Sequence, residues 1–81
     1  MALNMFAYYA QQVYEKKGLQ HTMMLFNLRE YIKQTPDEEL IKQIKETYRP
    51  EQLKAMWEAG LNLTLQQAVL ARLEELEARR G

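Results

Sequence analysis

Residues 35–38, Thr35-Pro36-Asp37-Glu38, read as the start of a helix. Thr35 can accept a hydrogen bond from the amide three residues on. Pro36 lacks the amide that a first-turn position would leave without a partner, and Glu38 can reach back to the Thr35 amide. The residues that follow keep to one face. At 100° per residue, Leu40, Ile41, Ile44 and Tyr48 fall within an arc of about 100°, the apolar stripe of a helix packed on one side. This helix is expected to end near Tyr48, because Pro50 disfavours helical geometry at Arg49.

The same punctuation recurs on both sides. Asn4 can cap a first helix over about residues 5–17, with Lys16 and Lys17 in its last turn and Gly18 just past it. A second helix over about 20–34 carries Met24, Leu25, Leu28, Tyr31 and Ile32 on its main face. Pro50 opens a fourth helix over about 50–59, which stops at Gly60. Thr64 with Gln67 makes a second capping box and opens a fifth over about 64–79, where Leu65, Val69, Leu73 and Leu76 share about 80°. Leu61, Leu63 and Leu65 alternate, but the glycine before them and the cap among them mark a helix–helix connector. The expected fold is therefore all-α, a compact bundle of four to five short helices with about 65–75% of residues helical, against roughly a third in an average globular protein. It forms one domain over residues 1–81, with an N-terminal hairpin at 5–34 and C-terminal helices over 36–79.

A chain of 81 residues buries a thin core, and small domains often add a disulfide, a metal or a partner copy. The chain has no cysteine and one histidine, His21. Neither a disulfide nor a four-ligand zinc site fits, and no cofactor is expected. Apolar residues make up 47% and charged residues 27%, with 11 acids balancing 11 bases. That composition is globular, and a neutral protein has no net field to draw it to nucleic acid or to an anionic membrane. No stretch reaches the ~20 apolar residues of a membrane span. Met1 to Tyr9 shows no secretory leader, so the expected location is cytoplasmic.

The residues offer little chemistry. The chain has no serine, and Thr22, next to His21, points elsewhere on a helix, so no activated nucleophile is in view. His21 reads as a boundary histidine near a helix start. The acids of 37–39 sit where a helix dipole favours negative charge. Glu74, Glu75 and Glu77 lie along the last helix, where Glu75 and Arg79 are spaced as an i,i+4 pair. No catalytic residue is expected, and the chain is not expected to be an enzyme on its own.

Trp57 completes an apolar stripe with Leu53 and Met56 and is expected to anchor the core. The stretch Trp57-Glu58-Ala59-Gly60, followed by Leu63-Thr64-Leu65-Gln66-Gln67-Ala68-Val69, resembles a segment near the end of helical-repeat regions in some bacterial signalling and transcriptional regulators. That resemblance implies an interaction scaffold.

The surplus of apolar residues lies in the N-terminal hairpin. In the first helix, Phe6, Tyr9, Ala10 and Val13 share a face, and Met5, Tyr8 and Tyr14 widen it to about two-thirds of the circumference. In the second, Met23 and Phe26 lie off the main face, with Phe26 among Arg29, Glu30 and Lys33. Met5, Tyr8, Tyr9, Met23 and Phe26 are therefore the candidate interface of a protein–protein interaction or regulatory module, expected to be a homodimer or to bind another protein. Two alternatives remain open. One is a nucleic-acid-binding regulator using a helix-turn-helix-like segment at 50–79, disfavoured by its acidic last helix and scattered basic residues. The other is the accessory subunit of an enzyme.

Overall fold

Several helix boundaries are set by a cap, a proline or a glycine, and connectors of two or three residues join neighbours tightly. The computed structural model describes residues 3–80 and holds α1 (Met5–Glu15), α2 (Gly18–Gln34), α3 (Asp37–Glu46), α4 (Pro50–Ala59) and α5 (Leu63–Arg80). Helices take up 84% of the described residues, which include no strand. This exceeds the expected fraction, although α1 and α3 each end about two residues before their sequence signals suggest. No described helix is long and apolar enough to cross a membrane.

α1 is the central element. It packs against α2, α3 and α4, and α5 closes the other side by packing on α3 and α4. The wide apolar surface of α1 is thereby largely used. Phe6, Ala10 and Val13 are fully buried with Leu28, Leu40, Ile44, Leu53, Met56, Leu65 and Val69, and Tyr9 packs on the edge of that cluster. α2 is peripheral: of its 17 residues only Leu28 is fully buried, while Met24, Leu25, Tyr31 and Ile32 are half-buried.

The α1 start follows the sequence. Asn4 Oδ1 accepts from the Ala7 amide at 3.0 Å, satisfying one of the first-turn donors. Two other caps differ. Thr35 does not open α3: it ends α2, and its hydroxyl donates to the Tyr31 carbonyl at 2.7 Å. A last-turn carbonyl needs a donor as much as a first-turn amide needs an acceptor, and the extended backbone that Pro36 imposes on Thr35 favours the former. Thr64 does not cap α5 either. The cap is Asn62, whose Oδ1 accepts from the Leu65 amide at 2.9 Å and whose Nδ2 donates to Asp37 at 3.0 Å. Asn and Thr both cap helices, and the residue two positions earlier wins here because it also ties the connector to α3. The Glu75 carboxylate receives the Arg72 guanidinium at 3.4 Å, a contact from three residues back where the spacing had suggested Arg79.

Gly18 also has a different role. α1 ends at Glu15, with the Lys16 amide bonded to the Gln12 carbonyl, and Gly18 begins α2 with φ +63°. A two-residue connector must reverse the chain within that turn, and only glycine adopts the left-handed region there without strain.

A polar node that no motif announces joins four helices. Gln43, on the inner face of α3, accepts at Oε1 from the Phe6 amide (2.8 Å) and from the Tyr31 hydroxyl (2.9 Å). Its carbonyl accepts from Asn4 Nδ2 at 2.9 Å and from the Thr47 hydroxyl at 2.8 Å. Asn4 Nδ2 also reaches the Thr47 hydroxyl at 3.1 Å, and the Thr47 carbonyl accepts from buried Arg72 Nε of α5 at 2.7 Å.

The threonines can be ranked from this geometry. Thr47→Ala removes a buried hydroxyl that serves both Asn4 and Gln43, and should cost about 1–3 kcal/mol. Asn62→Ala should cost about 1 kcal/mol as a lost cap. Thr64→Ala, at an exposed position, should change stability by less than about 0.5 kcal/mol. Urea unfolding of the three variants tests this order, and a Thr64→Ala cost equal to that of Thr47→Ala would contradict it.

Candidate functional site

α2 presents an apolar row to solvent. Leu19, Met23 and Phe26 follow i, i+4, i+7 spacing, which places them on one face, and they are 77%, 54% and 59% exposed. Arg29 and Lys33 lie beside this row, also exposed, with half-buried Glu30 between them. Arg29 bends away through Nε to donate to the Ala59 carbonyl at 3.0 Å, pinning α2 to the end of α4. The row is apolar along its length and charged at its C-terminal end.

The candidate residues of α1 divide. Tyr8 is exposed, while Met5 is half-buried. Tyr9 is half-buried, its ring centroid 5.2 Å from that of Tyr31 and 5.8 Å from that of Tyr8. Tyr9 therefore belongs mainly to the α1–α2 contact, and Tyr8 carries the aromatic surface outward from it. Leu19, absent from the candidates read from sequence, is the most exposed member of the α2 row. Its spacing to Met23 was the available signal, hidden by its place at the helix start.

Trp57 is not the core anchor expected of it. It is 41% exposed, and the inner face of α4 is made by Leu53, Ala55, Met56 and Ala59. The arc that faces the core is turned toward the two alanines, which let α1 and α4 approach closely. Trp57 is left at its rim.

A second feature lies where the end of α1, the start of α2 and α4 meet. Val13, Tyr14, His21, Pro50, Glu51, Lys54, Ala55 and Glu58 line an open cleft of about 490 Å³. His21 Nδ1 lies 2.9 Å from the Val13 carbonyl and Nε2 lies 3.2 Å from Glu58 Oε1. The Val13 carbonyl, with further help from the Glu58 carboxylate, raises the His21 pKa above its ordinary 6.5, against a smaller opposing effect of burial. His21, a boundary histidine near a helix start, is thus also a tie between three helices. Among the described residues no three His, Asp or Glu side chains converge as a metal site would require.

Comparison of the chain with protein families, curated proteins and solved structures finds no match. The resemblance at residues 57–69 therefore stands on those residues alone.

Proposed function

We propose that this protein is a small helical interaction or regulatory module that self-associates through its N-terminal hairpin. The observation that carries the reading is the exposed row of Leu19, Met23 and Phe26 on α2. A monomer's helix needs one buried stripe, and α2 already buries one through Leu28 and its half-buried neighbours. A second apolar row with charged residues at its end has the anatomy of an interface, an apolar centre with a polar rim. Two-fold symmetry would use the row twice.

Sedimentation at micromolar concentration tests the proposal. The wild type should be dimeric, and Phe26→Glu should be monomeric, because losing a hot spot costs about 2 kcal/mol or more per site and each glutamate adds a charge to an apolar surface. A monomeric wild type, or a fully dimeric Phe26→Glu variant, would contradict it.

The nucleic-acid reading of residues 50–79 has less support. Arg72, the one basic residue of α5 before its last turn, is buried and holds the Thr47 carbonyl. Glu74, Glu75 and Glu77 occupy the exposed surface beside it. Binding to nonspecific duplex DNA that falls steeply with salt would revive that reading.

A further inference from the structure

We propose that His21 is a proton-operated latch that holds the first turn of α2 against α1 and α4. The geometry is a single imidazole between two acceptors on two different helices: the Val13 carbonyl at 2.9 Å from Nδ1 and the Glu58 carboxylate at 3.2 Å from Nε2. An imidazolium carries a proton on each nitrogen and donates to both acceptors at once. A neutral imidazole has one N–H and leaves one acceptor facing a lone pair. Either tautomer breaks the tie, from α1 or from α4.

The segment that the latch secures has few other restraints. The connector before it is two residues long, and Gly18 makes the turn. Leu19 and Gln20 are exposed, and the nearest fully buried residue of α2 is Leu28, two turns further on. The Thr22 hydroxyl bonds only within the helix, to the Gly18 carbonyl at 3.5 Å. His21 is the one side chain of the first turn with hydrogen bonds to other helices.

The charged and titratable groups around it come from each packed element. α4 contributes Glu58, which contacts the ring, together with Glu51 and Lys54 along the same cleft wall. α1 contributes Tyr14, and the Lys16 backbone adds to the raised affinity for a proton. Lys17 is exposed in the connector. The paired carboxylate and the two carbonyls favour the charged ring.

The sign follows from linkage. The folded chain holds the His21 proton to higher pH than the unfolded chain does. The stabilisation is therefore complete below pH 6.5 and is lost as pH rises through the folded-state value. The latch is closed in mild acid and released toward alkaline pH.

NMR titration of the full chain reads this without ambiguity, because His21 is the only histidine. The ring should titrate with a midpoint above 6.5, and Glu58→Gln should move that midpoint down. Amide exchange, corrected for its intrinsic pH dependence, should lose protection at residues 21–24, whose amides bond to the carbonyls of the connector and first turn, above the midpoint while α3 keeps its own. The melting temperature of the wild type should fall between about pH 6 and pH 8, and His21→Gln should remove that slope. A midpoint at or below 6.5, or unchanged protection at 21–24 across the titration, would overturn the latch. The same readouts in a Phe26→Glu background, a position outside the His21 cleft, keep the latch separate from self-association.

Discussion

Gln43→Ala should lower the stability of the fold by about 3 kcal/mol, because each buried donor left without an acceptor costs about 1–3 kcal/mol. The substitution removes Oε1, which takes the Phe6 amide at 2.8 Å and the Tyr31 hydroxyl at 2.9 Å. The Phe6 amide belongs to the first turn of α1 and has no intrahelical acceptor, so no rearrangement within α1 can satisfy it. Tyr31 can swing its hydroxyl toward solvent, which bounds the loss from above. The expected result in urea is a lower midpoint with an unchanged slope. A midpoint within experimental error of wild type would show that the node contributes nothing. Gln43→Glu keeps the acceptor but places a second carboxylate against Glu39, whose Oε1 lies 3.2 Å from Gln43 Nε2. It should recover part of the loss at acidic pH, where the pair can share a proton.

Phe6→Ala should cost more, about 3–5 kcal/mol, the usual range for removing a fully buried phenylalanine. Phe6 is completely enclosed, and its ring centroid lies 6.0 Å from that of Tyr31. It sits on the helix that touches three others, so the cavity would open at the centre of the bundle. A domain of this size has roughly 4–12 kcal/mol of total stability at 0.05–0.15 kcal/mol per residue. The variant is therefore expected to be partly unfolded at room temperature by far-UV circular dichroism. Phe6→Ala keeps the backbone amide that donates to Gln43, so Gln43→Ala orphans that amide in either background and the double variant should cost about the sum of the two single losses. A clear shortfall from that sum would mean that amide and side chain do not act independently.

The helices were legible because several of their boundaries are marked locally. Asn4, Pro50 and Gly60 do in the structure what their positions in the sequence imply. Where two caps compete, local reading fails. Thr35 and Thr64 both begin acceptable capping boxes, but the Thr35 hydroxyl turns back to the Tyr31 carbonyl of α2, and Thr64 loses to Asn62, which also bonds Asp37 of α3. Those partners are distant in sequence or belong to the preceding element, so a window of four residues cannot weigh them.

The polar node was illegible for the same reason. Gln43 and Thr47 lie outside the apolar arc of α3, a position that normally means solvent. They are buried because Asn4, Phe6 and Arg72 arrive from 25 to 43 residues away. The α2 row, by contrast, was visible in part. Phe26 stood out because charged residues flank it, and it is exposed beside them. Trp57 was misread because the stripe it completes was judged by size, while the packing of α4 is set by Ala55 and Ala59.

The central claim is that copies of the chain meet through the outer face of α2. The native chain contains no cysteine, so a single Thr22→Cys substitution, at an exposed position beside the row, reports on that face alone. Treated at micromolar concentration with a short bis-maleimide, the variant should form covalent dimers readily. Lys42→Cys, exposed on α3, should remain almost entirely monomeric under the same treatment. No linkage through Thr22→Cys, or equal linkage at the two positions, would contradict the account.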